Sequence, residues 1–381
     1  MFKLAQTDSQ NIDVKHNMKN NINQHSVETV ATAFTQVWPQ FNRESFEQHA
    51  NNGLDKLELK ARVKHIIQAL KQNLPEDFNQ TAALYNKLVE AQQSQRSLNG
   101  FTAWPVIDFI GEHGLEHPEL SLPILKGLTE CFSAEFAIRP FIIQHPEVSY
   151  RHLHEWLNHP NEHVRRLVSE GTRPRLPWGI QLKSLVQDPA PNIALLNALK
   201  NDESLYVRRS VANHINDIAK DHPDWVIEHC KQWLPNASKH TKWIIGHATR
   251  TLVKAAHPGV FALLGYSDKV QLKAAELSLN KPLIELGESM ELALSLTSSA
   301  NTSQKLVVDF SIHFVKANGK QSAKVFKWRN LQLAAGETLT LTKSHPIKPI
   351  TTRKYYAGMH KVEVLVNGGV VAEAEFELVV G

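Results

Sequence analysis

The sequence predicts a mainly α chain, a helical-repeat solenoid followed by an all-β sandwich. Three observations carry this reading. Short amphipathic segments follow one another between Pro-marked turns. One of those segments recurs at a fixed spacing. Near residue 280 the apolar period drops from 3.6 residues to 2. A chain of 381 residues has room for two domains, and 42% hydrophobic residues supply a substantial core.

Residues 1–24 are polar and Asn/Gln-rich, without the apolar core of a signal peptide, and are expected as a flexible tail. Residues 25–279 are expected as the helical domain. Val27, Val30, Ala31, Phe34, Val37 and Trp38 mark its first apolar face. Leu57, Leu59, Val63, Ile66, Ile67 and Leu70 mark another, closed by Asn73-Leu74-Pro75. Further helices are expected over 78–92, 101–112, 121–143, 149–157, 162–172, 179–187, 192–199, 204–220, 223–233, 239–255, 257–264 and 268–277. Turn signals at His117-Pro118, His145-Pro146, His159-Pro160, Asp188-Pro189 and His222-Pro223 separate them. Short helices at regular spacing favour a solenoid over a compact bundle.

The recurring segment runs from Trp156 to Ser169 and again from Leu199 to Ala212. Its Val-Arg-Arg triplets begin at Val164 and Val207, 43 residues apart, within the roughly 40–47-residue period of HEAT and armadillo repeats. A third segment, Lys242–Lys254, keeps the same two-faced logic. There Ile244, Ala248, Thr251, Leu252 and Ala255 are expected inward, and Trp243, His247, Arg250 and Lys254 form a stripe. Stacked repeats superpose equivalent faces, so such stripes line one surface. Arg165, Arg166, Arg173, Arg175, Arg208, Arg209, Arg250 and Lys254 make that surface basic. The formal net charge of +4 is modest; the clustering is what points to a polyanion.

In the first repeat, Val164, Leu167, Val168 and Gly171 share one helical face, with Arg166, Glu170 and Arg173 on the other. The counterpart of Glu170 in the next repeat is Asn213. A carboxylate on a surface built for phosphates costs affinity by like-charge repulsion. Catalysis is the natural reason to keep it. The plain alternative is a solvated Arg166–Glu170 ion pair worth a few tenths of a kcal/mol.

After Asn280-Lys281-Pro282 the alternation is that of strands, and residues 282–381 are expected as a sandwich. Leu292, Leu294 and Leu296 alternate with polar or small neighbours, as do Val362, Val364 and Val366. Val307, Asp309, Ser311 and His313 alternate with Val308, Phe310, Ile312 and Phe314. Asn367-Gly368-Gly369 signals a hairpin before a last strand over Val370–Val380. About seven strands in about 100 residues fit an immunoglobulin-like sandwich. Cys131 and Cys230 lie in apolar helical patterns and are expected as buried thiols in a reducing cytoplasm. His152, His154, His159 and His163 have no Cys or carboxylate at zinc-like spacing, so no metal is expected. No stretch approaches the length of a transmembrane helix, so no membrane partner is expected.

These residues resemble a known family. The Val-Arg-Arg repeats and Trp243…His247-Ala248…Arg250-Thr251-Leu252…Lys254 are similar to DNA alkylation repair glycosylases of HEAT-like repeat fold. Within it, Leu57-Glu58-Leu59-Lys60-Ala61-Arg62, the helix Ala134-Glu135-Phe136-Ala137-Ile138-Arg139-Pro140-Phe141 and the run Ser169–Trp178 resemble the AlkC branch. Some members of that branch carry an immunoglobulin-like C-terminal domain. The resemblance implies a monofunctional glycosylase that removes cationic N-alkylated bases, 3-methyladenine and 3-methylcytosine, from double-stranded DNA without full base extrusion. It implies a monomer in the bacterial cytosol or nucleoid, with no cofactor. It makes Glu135 and Glu170 the catalytic carboxylates and Trp178 an aromatic partner for the base or sugar. Arg139, Arg165, Arg166, Arg173, Arg175, Arg208, Arg209, Trp243, His247, Arg250 and Lys254 become the expected DNA contacts. The AlkD branch uses an Asp on a Trp-rich helix, where this chain has Glu135. Two other classes stay open: a catalytically silent DNA-structure binder on the same scaffold, and a protein-binding solenoid. The sandwich is expected either to clamp DNA through Lys343, Lys348, Arg353 and Lys354 or to cap the solenoid's end.

Overall fold

The computed structural model describes residues 18–380 apart from 258, 268 and 352. Residues 1–17 of the expected tail, and Pro258, lie outside the described residues. The helices are α1 (Gln24–Val37), α2 (Arg43–Asn51), α3 (Leu59–Asn73), α4 (Phe78–Ser94), α5 (Trp104–His113), α6 (Pro118–Leu128), α7 (Arg139–Gln144) and α8 (Pro146–Trp156). They continue as α9 (Glu162–Gly171), α10 (Lys183–Gln187), α11 (Ile193–Leu199), α12 (Leu205–Ile218), α13 (Pro223–Trp233), α14 (Lys239–Ala248), α15 (Arg250–Lys254) and α16 (Val260–Leu263). Eight strands follow: β1 (Leu272–Leu279), β2 (Leu283–Glu285), β3 (Ser289–Ser298), β4 (Gln304–Val315), β5 (Gln321–Leu333), β6 (Thr338–Pro346), β7 (Gly358–Val366) and β8 (Gly369–Val379). The chain forms two compact units, residues 1–210 and 211–381, divided within α12.

In the first unit the apolar faces read from the sequence are the core. Val27, Val30, Ala31 and Phe34 of α1 and Val63, Ile66, Ile67 and Leu70 of α3 are buried. Met18–Asn21 is a helical turn rather than tail. It is tied down by Arg62, whose guanidinium donates to the carbonyls of Lys19 at 3.1 Å and Ile22 at 2.7 Å. Between the two expected faces lies α2, capped by Asn42 and packed through Phe46 and Ala50. Its three-turn length carried too few apolar residues to signal itself.

Three expectations are corrected. The helix expected over 121–143 is two helices, α6 and α7, with a turn segment between them that carries Glu135. The Thr129 hydroxyl accepts from the Ala134 amide at 3.1 Å, diverting the backbone from helical bonding. The helix expected over 239–255 breaks at Thr249, between α14 and α15, and Ala255 is exposed rather than inward. The segment expected as a helix over 268–277 is strand β1, paired antiparallel with β3 from Leu272 to Leu279. Its Leu, Ala, Lys and Glu favour helix locally, and cross-strand pairing overrides them.

The Val-Arg-Arg repeat has a structural purpose visible in the first unit. Arg165 Nη1 donates to the carbonyls of His159 and Pro160 at 2.8 and 2.9 Å. Arg208 Nη1 donates to those of Asp202 and Glu203, at the same offsets, at 2.6 and 2.8 Å. Each first Arg of the triplet therefore clasps the loop that precedes its own helix. Arg165 also makes a two-point ion pair with Asp202, at 2.6 and 3.0 Å.

In the second unit, strands β1–β8 form two sheets, ordered β1-β3-β6 and β2-β8-β7-β4-β5. Leu292, Met290, Phe310, Ile312, Val362 and Phe376 pack between them, as the period-2 pattern requires. Asn367 and Gly368, at φ 45° and 81°, make the tight turn joining β7 and β8. Cys131 is half-buried and Cys230 buried, both free thiols. Burial pushes the Cys131 thiol up to about 11 and the Cys230 thiol up to about 12. Among the described residues no helix is long and apolar enough to cross a membrane.

Breaking a largely buried ion pair by removing one partner costs about 3–5 kcal/mol. Arg165→Ala is therefore expected to lower unfolding stability by about 2–4 kcal/mol in urea titrations, allowing for the partial exposure of Arg165. An effect within about 0.5 kcal/mol, the range of a plain surface change, rules out the loop-clasp role.

Candidate active site

Helix α9 presents Val164, Leu167, Val168 and Gly171 to the core, all buried. Gly171 is needed there, since a Cβ would meet Ile138 Cγ2 at 2.7 Å. The other face is not the solvated one that simple amphipathicity suggests. Glu170 is only 5% exposed. Its Oε1 accepts from Arg173 Nη1 at 2.7 Å and lies 3.4 Å from Arg166 Nη2. Its Oε2 accepts from the Ser210 hydroxyl at 2.5 Å. Burial pushes this carboxyl up, but Arg166, Arg173 and Ser210 outweigh burial and hold it below its ordinary value.

Arg166 joins Glu170 to a second carboxylate from another element. Arg166 Nη1 donates to Glu135 Oε2 at 2.9 Å and to the Ser133 hydroxyl at 3.0 Å. Ser133 in turn donates to Glu135 Oε2 at 2.7 Å. The guanidinium also lies 4.6 Å from the centre of the Tyr206 ring. Burial works against its charge, and Glu170 and Glu135 more than restore it. Two carboxylates and two guanidiniums, Arg166 and Arg173, thus nearly balance. Glu135 Oε1 has no hydrogen-bond partner among the described residues.

Both carboxylates line one cleft of about 300 Å³, with Phe101, Trp104, Phe132, Phe136, Pro177 and Trp178. Trp104 stacks on Phe132 and Phe136, each at 5.6 Å between ring centres. Trp178 stands 57% exposed on the loop after α9. Its φ of 67° is left-handed, a strained position for a large side chain. Arg139 holds that loop. Fully buried, it donates to the carbonyls of Gly171 at 2.9 Å and Ile180 at 2.6 Å. Lys60 Nζ donates to the Trp178 carbonyl at 2.8 Å. Among the described residues no group of three or more His, Cys, Asp or Glu side chains is placed to hold a metal ion.

The expected DNA contacts divide. Arg139, Arg165 and Arg208 give their guanidiniums to the protein's own carbonyls, and Arg165 also to Asp202. Arg166 and Arg173 spend theirs on Glu135 and Glu170. Arg175 is half-buried, and Arg209 and Lys254 are exposed. Trp243, 37% exposed, stacks on His247 at 5.1 Å. Arg250 donates to the His247 carbonyl and to Asn213. In the sandwich, Arg353 lies 3.9 Å from the Phe314 ring centre and Lys354 lies 5.5 Å from that of Tyr356. Sequence reasoning missed Tyr206, Ser210 and the wall of Phe101, Trp104, Phe132 and Phe136. The signal these aromatics gave was their density around Glu135.

Comparisons with known proteins agree on one lineage. Residues 273–380 match the family model described as the C-terminal Ig-like domain of the uncharacterised protein YhaZ. The chain is 36% identical over 342 residues to the uncharacterized protein YhaZ of Bacillus subtilis, covering 90% of this chain and 93% of that one. It is 38% identical to the solved alkylpurine DNA glycosylase AlkC of Pseudomonas fluorescens, bound to DNA containing an abasic-site analogue. That superposition has a TM-score of 0.86 and covers 95% of this chain and 99% of the other. Helical repeats, an immunoglobulin-like C-terminal domain and this degree of likeness along the chain place the protein in the AlkC family.

Proposed function

We propose that this protein is a monofunctional DNA glycosylase. It hydrolyses the N-glycosidic bond of cationic N-alkylated bases, 3-methyladenine and 3-methylcytosine, in duplex DNA and leaves an abasic site. The observation that carries this is the pair Glu135 and Glu170, joined through Arg166 and lining one aromatic cleft. The likeness to AlkC, solved on DNA, supports the glycosylase role.

The two carboxylates differ in what they are free to do. Both oxygens of Glu170 already accept hydrogen bonds, and its neighbours keep it ionised. It is a fixed negative charge, suited to stabilising the positive charge that develops on the sugar. Glu135 keeps one oxygen open and is the general base. A water oxygen attacks C1′ as the C1′–N bond breaks. The bonding pair goes to the base and neutralises its alkylation charge, and the water's proton passes to Glu135. The leaving group needs no acid, because alkylation has already made it cationic. Discrimination then comes largely from the lesion's charge and lability, and the base need not leave the stack fully. Trp178 offers its exposed ring to the base or sugar. Arg175, Arg209, Trp243, His247, Arg250 and Lys254 are the proposed contacts to the rest of the duplex, made by a cytosolic monomer without a cofactor.

Single-turnover release of alkylated base from duplex DNA tests the mechanism. Glu135→Gln and Glu170→Gln are each expected to slow release by about 10²–10³-fold while retaining binding to abasic-site DNA. Salt-sensitive binding with no release by the native protein would leave only the silent DNA binder.

Glu170 also gives a pH prediction. Its folded value lies below the ordinary 4.5, so its stabilisation is present above the unfolded value and lost as pH falls through the folded one. Urea titrations between about pH 6 and about pH 3 are expected to show a steeper acid loss for the native protein than for Glu170→Gln. Equal slopes would remove the argument that Glu170 is held ionised by its neighbours.

A further inference from the structure

Glu170 is fixed by helix α9, whereas Glu135 stands on a turn segment. Besides its bonds to Ser133 and Arg166, that segment is held by rings. Phe132 and Phe136, on either side of Glu135 in the chain, both stack on Trp104 of α5, each at 5.6 Å between ring centres. Trp104 is buried, and its indole N–H donates to Asp108 Oδ2 at 2.8 Å, one turn further along α5. Asp108 lies behind this aromatic wall, in a recess of about 280 Å³. The other charged groups lining the recess are Lys60 and Lys64 of α3 and Glu112 of α5. An amide would satisfy the indole at less cost, because burying a carboxylate is expensive. What a carboxylate adds is a stronger bond when it is ionised.

We propose that Asp108 is a positioning residue for the cleavage step: through the Trp104 ring it fixes Phe132 and Phe136, and with them the general base Glu135. The inference rests on the glycosylase reading of Glu135. Asp108 touches neither base nor sugar in this role. It sets the angle of one ring, and that ring sets the turn that carries the reacting carboxylate. Small displacements of such a group are costly in rate. Burial, with Glu112 adding to it, outweighs the Trp104 bond and Lys60 and brings the Asp108 carboxyl up to about 7. The carboxyl is therefore ionised above that value, and its hold on Trp104 weakens as pH falls through it.

Three variants of the full-length protein test this. Asp108→Leu removes the acceptor. Asp108→Asn keeps an acceptor and the side-chain volume but cannot ionise. Lys60→Met removes a cation that favours the ionised form. Release of alkylated base from duplex DNA is followed in single turnovers between about pH 6 and about pH 8.5, with binding to abasic-site DNA measured alongside. The native rate is expected to fall severalfold with a midpoint near 7. Asp108→Asn is expected to lack that step, and Lys60→Met to move its midpoint upward. Asp108→Leu is expected to slow release about tenfold or more across the range while keeping its binding to abasic-site DNA. A purely structural Asp108 lowers stability and leaves no such step to move. A native profile without the step, a step that persists in Asp108→Asn, or release by Asp108→Leu within about twofold of native overturns the proposal. Where Asp108→Leu does not fold, the comparison with Asp108→Asn decides. A second readout needs neither DNA nor activity. The Trp104 indole ¹H–¹⁵N signal, assigned with Trp104→Phe, is expected to titrate with the same midpoint in the native protein and to stay constant in Asp108→Asn. Base release with a constant native indole signal sinks only the Asp108 role, and a titrating indole without base release sinks only the enzyme.

Discussion

The site depends on one guanidinium. Arg166 is held between Glu135 and Glu170 and is largely shielded from water. Removing such charges from water costs several kcal/mol per ion, and a buried ion network is rarely the most stable filling for its space. An apolar set of side chains would pack α9 against its neighbours at lower cost. A charged cluster kept there in spite of that cost is better explained by what it does. Arg166 bridges the two carboxylates, donating to Glu135 Oε2 and lying 3.4 Å from Glu170 Oε1. Arg173 and Ser210 complete the shell of Glu170. The result is a negative pair whose field is nearly neutralised at rest.

The second constraint is the loop that carries Trp178. A tryptophan at positive φ persists only where its surroundings over-determine it. Here they do so through Arg139, which spans Gly171 and Ile180 from within the core, and through Lys60 on the Trp178 carbonyl. Gly179 fits the same arrangement, since a Cβ there would stand 3.1 Å from Leu176 and 3.3 Å from Arg139. Arg139 therefore fixes the loop that carries the ring. Trp104 is fixed in a comparable way from behind, by Asp108. The two tryptophans of the cleft thus each have a polar tether.

Much of this was legible in the sequence and some was not, for physical reasons. Faces set by periodicity, such as Val27 to Phe34 or Leu292 to Leu296, survive because burial enforces them directly. Glu170 was legible because it broke a repeat, a signal that needs no knowledge of its partners. Glu135 was noticed through resemblance, yet placed on a helix that Thr129 prevents. Strand β1 was misread because its local propensity is helical and its partner β3 lies beyond the window in which periodicity is judged. The purpose of Arg165 and Arg208 was hidden for a related reason. A guanidinium that bonds carbonyls five and six residues back looks, in sequence, like any basic residue on a polar face. Tyr206 and Ser210 gave no signal at all, since hydroxyls and rings acquire meaning only from what stands opposite them.

The repeat shows how little change separates scaffold from site. Asn213 and Asn216 are the counterparts of Glu170 and Arg173 one repeat later. They are neutral, and they bond forward to α15, Asn213 to Arg250 at 3.0 Å and Asn216 to Thr251 at 2.8 Å. Glu170 bonds forward as well, to Ser210. The forward bond is thus common to both repeats, joining α9 to α12 and α12 to α15. What differs is charge. Putting Glu and Arg in place of two Asn keeps the forward bond from position 170 and adds a carboxylate that must be balanced locally, which Arg166 and Arg173 do. An ordinary inter-repeat contact therefore differs from the Glu170 cluster by charge, and the charged version lines the aromatic cleft.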